Sequence, residues 1–285
     1  MKLLALLIIL ALRRVEWRHD PQVARRHLYG VLLLPLPLAA AFARTPGGRL
    51  LLLAMFWAVI GFVVRFGIGD APLSLPLLCI YALLLWVLLG HNLLGPDLNE
   101  YLRRWHLEDH EELRRFARER FGVTAEGPVA AVHRAVLHAL FVRAYREKFA
   151  WIVVFALIGL PGLLLLATID AVRSDLAGRR DSLLQQAAME MGERMDWLVS
   201  RLFALSLLLT GNTARAWPLL DNRLLDDDDP SEELLATVSV AAAGFSSREA
   251  AEPDVAMDIT DARGLLLRTQ VLWILLMALS VIVGF

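Results

Sequence analysis

The chain has 285 residues, of which 57% are hydrophobic and 21% charged, and its mean hydropathy is +0.54. Because a soluble domain is about 45–50% apolar, this composition excludes a single water-facing globule and indicates a membrane protein. The 29 basic and 30 acidic residues nearly cancel, so we expect no nucleic-acid partner. The only cysteine, Cys79, excludes an internal disulfide and a cysteine metal cluster, and we interpret it as a small buried hydrophobic side chain.

The N-terminal segment, residues 1–49, is predicted to anchor the chain without crossing the bilayer. Its apolar run at 1–12 is shorter than the ~20 residues that a spanning helix needs. The next stretch, 13–27, has five arginines, and the positive-inside rule places it in the cytoplasm. Residues 28–43 are apolar but contain two prolines, which predicts an interfacial or re-entrant piece.

Three later segments contain the predicted membrane spans. Residues 50–90 are expected to form a transmembrane hairpin, with spans at 50–69 and 73–90. Residues 149–169 are the strongest single candidate, with 21 residues and no charge. Residues 264–285 supply a C-terminal span. We therefore predict an all-α, polytopic membrane protein with about four transmembrane helices, together with interfacial or re-entrant helices and amphipathic soluble helices.

Two polar regions separate these spans. Residues 91–148 hold ten Lys or Arg and nine Asp or Glu, and they are predicted to form charged and amphipathic helices in the cytoplasm. Residues 170–263 form a second polar helical region. Its part from 211 to 263 has four Arg against twelve Asp or Glu and is expected on the other side. Within this region a short apolar helix is predicted at 198–210. If that helix crosses the bilayer, the C-terminus changes side.

Two motifs have the residue types of metal sites but have simpler interpretations. His106 and His110 are four residues apart on a predicted helix, yet no third ligand can be named, and a charged solvated face explains them. The four aspartates at 226–229 are interpreted as a helix start, with Asp229 as N-cap and Pro230 at the first helical position. We therefore predict neither a metal nor a cofactor.

Four polar residues beside apolar segments form the candidate functional cluster of the sequence: Asp170, Asp196, Arg201 and Asn212. Ionisable groups next to membrane-embedded helices are functional candidates, although orienting a short interfacial helix would explain these residues equally well. The sequence has no Walker loop, dinucleotide fingerprint or nucleophile elbow. No catalytic residue is therefore assigned.

Several segments, in chain order, carry a resemblance to a known family. They are Tyr145–Phe149 running into residues 151–162, residues 195–202 with Ala204 and Leu205, Gly211 with Asn212, Trp217, and residues 262–268 leading to Trp273 and the final apolar helix. In this order they resemble the AmpE branch of the AmpE/CobD/CbiB family of integral membrane proteins. The cobalamin-pathway branch should also carry Gly-Asp-Pro and Pro-His-Pro sequences, of which only Asp20-Pro21 is present.

The resemblance implies a multi-pass bacterial inner-membrane protein with a regulatory or sensory role in β-lactamase induction and peptidoglycan recycling. It also implies a functional link to the cytosolic amidase AmpD, with the lipid bilayer as the direct surroundings of the chain. The alternative is a membrane amide-forming synthase similar to adenosylcobinamide-phosphate synthase. A third possibility is a structural protein whose basic helices dock on anionic lipid or on another protein. No oligomeric state is predicted.

Overall fold

The computed structural model describes residues 2–12, 21–67, 75–89, 96–124, 127–174, 182–221, 223–224, 226, 230–245 and 254–283. Every regular element within these ranges is helical, which confirms the all-α class. The predicted turn between the spans at 50–69 and 73–90 lies outside the described residues. The same is true of residues 13–20, the first part of the basic stretch.

Fourteen α-helices and one π-helical turn are found in the described residues. In chain order they are α1 (Lys2–Leu12), α2 (Pro21–Leu32), α3 (Leu36–Phe42), α4 (Pro46–Gly67), α5 (Leu75–Leu88), α6 (Pro96–His106), α7 (His110–Phe121), α8 (Val129–Ala144), the π-helical turn (Tyr145–Phe149), α9 (Ala150–Leu157), α10 (Leu160–Arg173), α11 (Ser182–Thr210), α12 (Thr213–Asp221), α13 (Ser231–Ala243) and α14 (Val255–Val283).

Local sequence signals explain several helix ends. Pro35 is the N-cap of α3, and since proline has no backbone N–H, the apolar run at 28–43 divides between two helices. The side chain of Asp109 caps α7 by accepting a hydrogen bond from the Glu112 amide at 3.0 Å. Gly122 ends α7 with a φ of 68°, a conformation that favours glycine.

The chain forms two compact units, and the first contains residues 1–91, 151–196 and 276–285. Within it α4 packs on α10, α1 on α5, and α2 on both α5 and α10. A Cβ atom at Gly61 would lie 3.1 Å from the backbone nitrogen of Pro161. The absence of a side chain at Gly61 therefore lets α4 and α10 approach closely.

Two helices, α4 and α14, are long and apolar enough to cross a membrane. The most apolar window is 22% buried in α4 and 33% buried in α14, whereas the core helix of a soluble protein is mostly buried. The exposed side chains of α4 include Leu51, Met55, Phe56, Val59, Phe62, Val63 and Phe66. Such a continuous apolar surface suits lipid better than water.

Cys79 is exposed on the apolar helix α5, so its predicted burial was wrong.

The strongest predicted span, 149–169, is not one continuous helix. The chain breaks between α9 and α10 at Gly159, whose φ of 79° and ψ of −144° lie far from helical values. A Cβ atom at Gly162 would lie 3.0 Å from the Cγ1 atom of Val154, whereas a straight helix would separate these positions by about 12 Å. Helices α9 and α10 therefore fold back on each other as a hairpin, with Gly159 at its tip.

The second unit contains residues 92–150 and 197–275. Within it α8 packs on α7 and α13, α12 on α13, and α6 on α7. Helix α8 is one of the amphipathic helices predicted in residues 91–148, and its apolar stripe is buried at Val132, Val136 and Leu140. A close contact also joins α11 to α13, since a Cβ atom at Gly211 would lie 2.5 Å from the carbonyl oxygen of Ala242.

Two predicted boundaries differ from the structure. The apolar helix predicted at 198–210 is the second half of α11, which has 29 residues. The C-terminal helix begins at Val255, nine residues before the predicted start at 264. Both differences have one cause: charged side chains interrupt the apolar pattern of the sequence without interrupting the helical backbone.

Candidate functional site

Asp170, the first predicted site residue, belongs to a hydrogen-bonded network in the first unit. Arg25 donates from Nη2 to the Oδ2 atom of Asp170 at 2.9 Å and from Nε to the Tyr29 hydroxyl at 2.6 Å. The Tyr29 hydroxyl donates to the same carboxylate oxygen. Arg25 and Tyr29 share one face of α2 because they are four residues apart, and α10 supplies Asp170 from its last turn.

The surroundings of this network strengthen its hydrogen bonds. Tyr29 is fully buried, and the guanidinium of Arg25 lies 5.4 Å from the Tyr29 ring centroid and 5.6 Å from that of Trp151. Burial and then the negative charge of Asp170 raise the pKa of Tyr29. Tyr29 therefore keeps its proton through the alkaline range and acts as a donor to the carboxylate.

Asp196 lies in the same unit and pairs with a different arginine. The Nη1 atom of Arg173 donates to the Oδ2 atom of Asp196 at 3.3 Å, which joins the end of α10 to α11. A Cβ atom at Gly192 would lie 2.8 Å from Nη1 of Arg173. The glycine thus leaves room for the arginine to lie along α11.

Arg201, in the second unit, is 3% exposed and donates a hydrogen bond to a backbone carbonyl. Its Nη2 atom donates to the carbonyl oxygen of Asp226 at 2.7 Å, and the indole Nε1 of Trp197 donates to the same oxygen at 3.1 Å. The Arg201 guanidinium also lies 4.7 Å from the Trp197 ring centroid. These contacts tie α11 to the chain that precedes α13.

Asn212 caps a helix. Its side-chain oxygen accepts a hydrogen bond from the Arg215 amide at 3.3 Å, at the start of α12. The backbone N–H of Asn212 donates to the carbonyl oxygen of Ala242 at 2.8 Å. Each of the four predicted residues thus has a partner outside the predicted set, with Asp170 and Asp196 in the first unit and Arg201 and Asn212 in the second.

A second buried network, in the second unit, was not predicted from the sequence. The Nε2 atom of His133 lies 3.3 Å from Oδ2 of Asp258, and its Nδ1 atom lies 3.4 Å from the Tyr101 hydroxyl. A neutral imidazole satisfies both contacts when Nε2–H donates to the carboxylate and Nδ1 accepts from the hydroxyl. Burial raises the pKa of Tyr101, so the hydroxyl remains a donor.

The side chains of Tyr101, His133 and Asp258 form a row of contacts with the residue types of a proton relay. Each of the three comes from a different helix. His133 and Asp258 are 125 residues apart, so no local pattern connects them. The one available signal was a histidine inside the apolar stripe of α8.

The paired histidines predicted to share a helix do not do so. His106 ends α6, where its Nδ1 atom contacts the Leu102 carbonyl at 2.7 Å, and His110 begins α7. Between them Glu108 has a φ of 56° and Asp109 caps α7. Within the described ranges no group of three His, Cys, Asp or Glu side chains is placed to hold a metal.

Pro230, predicted at the first helical position, is instead the N-cap of α13. The predicted cap, Asp229, lies outside the described residues. Glu232 and Glu233 occupy the first turn, where acidic side chains complement the helix dipole.

No family model, curated protein or solved structure matches this chain.

Proposed function

We propose that this chain is a multi-pass inner-membrane protein of the AmpE type, with a regulatory or sensory role in β-lactamase induction and peptidoglycan recycling. The ordered segments that resemble that branch support the proposal. Its expected surroundings are the lipid bilayer, and its expected functional link is to the cytosolic amidase AmpD. We infer no catalytic activity of its own.

The observation that carries the proposal is that the first segment of the resemblance packs beside the second in the second unit. The ring of Phe203 contacts Tyr145 in a stacked arrangement and Phe149 in a tilted one, with ring-centroid distances of 5.6 and 4.5 Å. Phe203 is not itself a residue of the resemblance, but it directly follows the segment at 195–202. Since this contact holds the two segments next to each other, they are expected to act as one structural framework.

The membrane arrangement proposed here has two crossing helices and one re-entrant hairpin. Helices α4 and α14 would cross, with apolar side chains such as Phe62 and Leu275 exposed to lipid. The apolar helix α5 has 14 residues, fewer than the ~20 that a spanning helix needs. Arg25 contacts both Trp151, near the start of α9, and Asp170, near the end of α10. Because both ends of the hairpin meet one residue, α9 and α10 would enter and leave the bilayer at the same face.

Deletion of the gene tests the assigned pathway. We expect altered β-lactamase activity after exposure to an inducing β-lactam, together with altered muropeptide pools, and restoration of both by the full-length chain. Unchanged induction with unchanged muropeptides would refute the proposal. The control is an untreated culture, in which basal β-lactamase separates a defect in induction from a general growth defect.

The amide-forming synthase is the second candidate, and the Tyr101–His133–Asp258 chain favours it because such a chain can move protons. The purified protein would be incubated with a corrinoid carboxylic acid, aminopropanol phosphate and ATP. Formation of the amide, and its loss in the His133→Phe variant, would replace the regulatory proposal with an enzymatic one.

A further inference from the structure

One buried donor beside the Arg25–Tyr29–Asp170 network has no hydrogen-bond partner. Trp151 is 2% exposed and its indole Nε1–H is fully enclosed, yet no acceptor pairs with it in the described part of the chain. Buried polar groups are nearly always paired, because leaving a donor unpaired forfeits its hydration without a return. This donor therefore indicates an acceptor that is supplied from outside the chain.

Arg25 and Asp170 also have unused hydrogen-bonding capacity. Arg25 donates from Nε to the Tyr29 hydroxyl and from Nη2 to Oδ2 of Asp170, and among the described residues Nη1 meets no acceptor. The Tyr29 hydroxyl donates to the same Oδ2 atom, so within those residues Oδ1 of Asp170 receives no donor. Both charged side chains are part-exposed. A ligand from outside can therefore reach a free donor and a free acceptor.

A direct contact places the unpaired indole at this network. The guanidinium carbon of Arg25 lies 5.6 Å from the Trp151 ring centroid. Because Nε1 belongs to that ring system, one anionic group can accept from both the indole and the guanidinium. Tyr29 is fully buried and bonds to both Arg25 and Asp170, so these two side chains are held in place before a ligand binds.

The charges of the network select the class of ligand. Arg25 attracts a simple anion but Asp170 repels it, and a simple cation meets the reverse. A zwitterion avoids both repulsions when its anionic oxygens face Arg25 and Trp151 and its amine faces Oδ1 of Asp170. The amine must carry N–H groups, since an ionised carboxylate only accepts hydrogen bonds.

The apolar surface of α4 favours a lipid as the source of this zwitterion. Gly61 lies beside Pro161 and the Arg65 side chain beside Gly159, so α4 and α10 run in opposite directions. The N-terminal half of α4 therefore lies toward the end of α10 that carries the network. Its exposed apolar side chains begin at Leu51, where acyl chains could pack.

We propose that Trp151, Arg25 and Asp170 form a binding site for a phosphoethanolamine group. The phosphate oxygens accept from the Trp151 indole and from Nη1 of Arg25, and the protonated amine donates to Oδ1 of Asp170. The headgroup of phosphatidylethanolamine and the free phosphoethanolamine zwitterion share this chemistry. This site does not depend on the pathway proposed above.

The test measures binding of short-chain phosphatidylethanolamine to the full-length, delipidated protein in an uncharged detergent by titration calorimetry. Trp151→Phe keeps an aromatic ring but removes the N–H, and we expect about tenfold weaker binding, the usual effect of losing one hydrogen bond to a charged group. Trp273→Phe is the matched control, because Trp273 is equally buried and its Nε1–H likewise lacks a partner in the described residues of the second unit. Equal binding by all three proteins, or equal weakening in the control, would overturn the proposal.

A comparison of headgroups on the unchanged protein tests the assignment to a zwitterion with N–H groups. Phosphatidylcholine has no N–H on its amine and phosphatidic acid has no amine, so each is expected to bind about tenfold more weakly than phosphatidylethanolamine. Equal affinity for either lipid would overturn the assignment. Competition by free phosphoethanolamine supports a site that accepts the free zwitterion, whereas lipid binding without competition supports a headgroup site.

Thermal unfolding without ligand separates ligand binding from a structural role. Trp151→Phe and Trp273→Phe each remove part of a buried ring and an unpaired donor, so their ligand-free proteins are expected to lose similar stability. A much larger loss in Trp151→Phe would show that its N–H is already bonded in the free protein, and would contradict the proposal.

Discussion

Helix α10 has a charged cluster at each end, and the two clusters differ in how their charges are balanced. Near its C-terminus Arg25 meets Asp170 at 2.9 Å, and Tyr29 satisfies the same carboxylate. At its N-terminus Lys2 and Arg65 approach Gly159 with no carboxylate partner in the described residues. A balanced cluster stabilises the fold by itself, whereas the repulsion between two like charges opposes it.

The largest expected effect follows from Asp170→Ala. This change leaves the Arg25 charge and the Tyr29 hydroxyl without their acceptor, and we expect the free energy of unfolding to fall by roughly 2–3 kcal/mol. The value is below that of a fully buried pair, because Arg25 and Asp170 are 23% and 32% exposed. Thermal unfolding followed by circular dichroism in detergent would measure it.

Two matched variants sharpen this result. Asp170→Asn keeps an acceptor without the charge and should lose less stability than Asp170→Ala. Tyr29→Phe keeps the ring but removes one hydrogen bond, with an expected loss of about 1 kcal/mol. If all three variants unfold like the original protein, the cluster does not stabilise the first unit.

A smaller effect is expected from Gly61→Ala, which tests the link between α4 and the tip of the hairpin. The new methyl would lie 3.1 Å from backbone atoms of Pro161, which cannot move aside as a side chain can. We expect a destabilisation of about 1–2 kcal/mol. Gly264→Ala is the control, because a Cβ atom there meets nothing within 4 Å. Equal behaviour of the two variants would show that this contact is loose.

The smallest effect is a dependence on pH at the unbalanced cluster. The pKa of Lys2 is lowered from 10.5 by burial and by Arg65, so the folded protein loses this proton before the unfolded chain does. As pH rises toward 10.5, the contribution of Lys2 to the stability of the ligand-free protein should increase, because the unfolded chain binds more protons there.

Lys2→Arg keeps its charge through this pH range and should abolish the increase. Thermal unfolding at neutral and alkaline pH tests this expectation, and an equal increase in Lys2→Arg would assign it to another group.

The sequence predicted the helical class and part of the candidate site, but not the partners of that site. Asp170 was a candidate because it ends an apolar run, whereas Arg25 lies 145 residues earlier in a basic stretch. His133 and Asp258 were likewise separated by most of the second unit. Hydrogen bonds of this range depend on which helix faces meet, and residue types in one helix do not specify its neighbour.

The break at Gly159 shows the same limit within a single segment. The sequence Gly159-Leu160-Pro161-Gly162 predicts an interruption, since proline removes a helical donor and glycine adopts positive φ. These residues are compatible both with a kinked helix and with a reversal of the chain direction. The contact between Val154 and Gly162 decides for a reversal, because only glycine lets α9 pack this closely on α10.

Composition and apolar patterning by themselves determined that the chain is helical and that apolar helices dominate it, because these properties follow from hydropathy and backbone preference. Tertiary structure decided that the strongest apolar segment folds back, that Cys79 is exposed, and that Lys2 and Arg65 meet at Gly159. The reason is physical: burial and charge balance depend on neighbours in space, and distant parts of the chain supply those neighbours only after the helices pack.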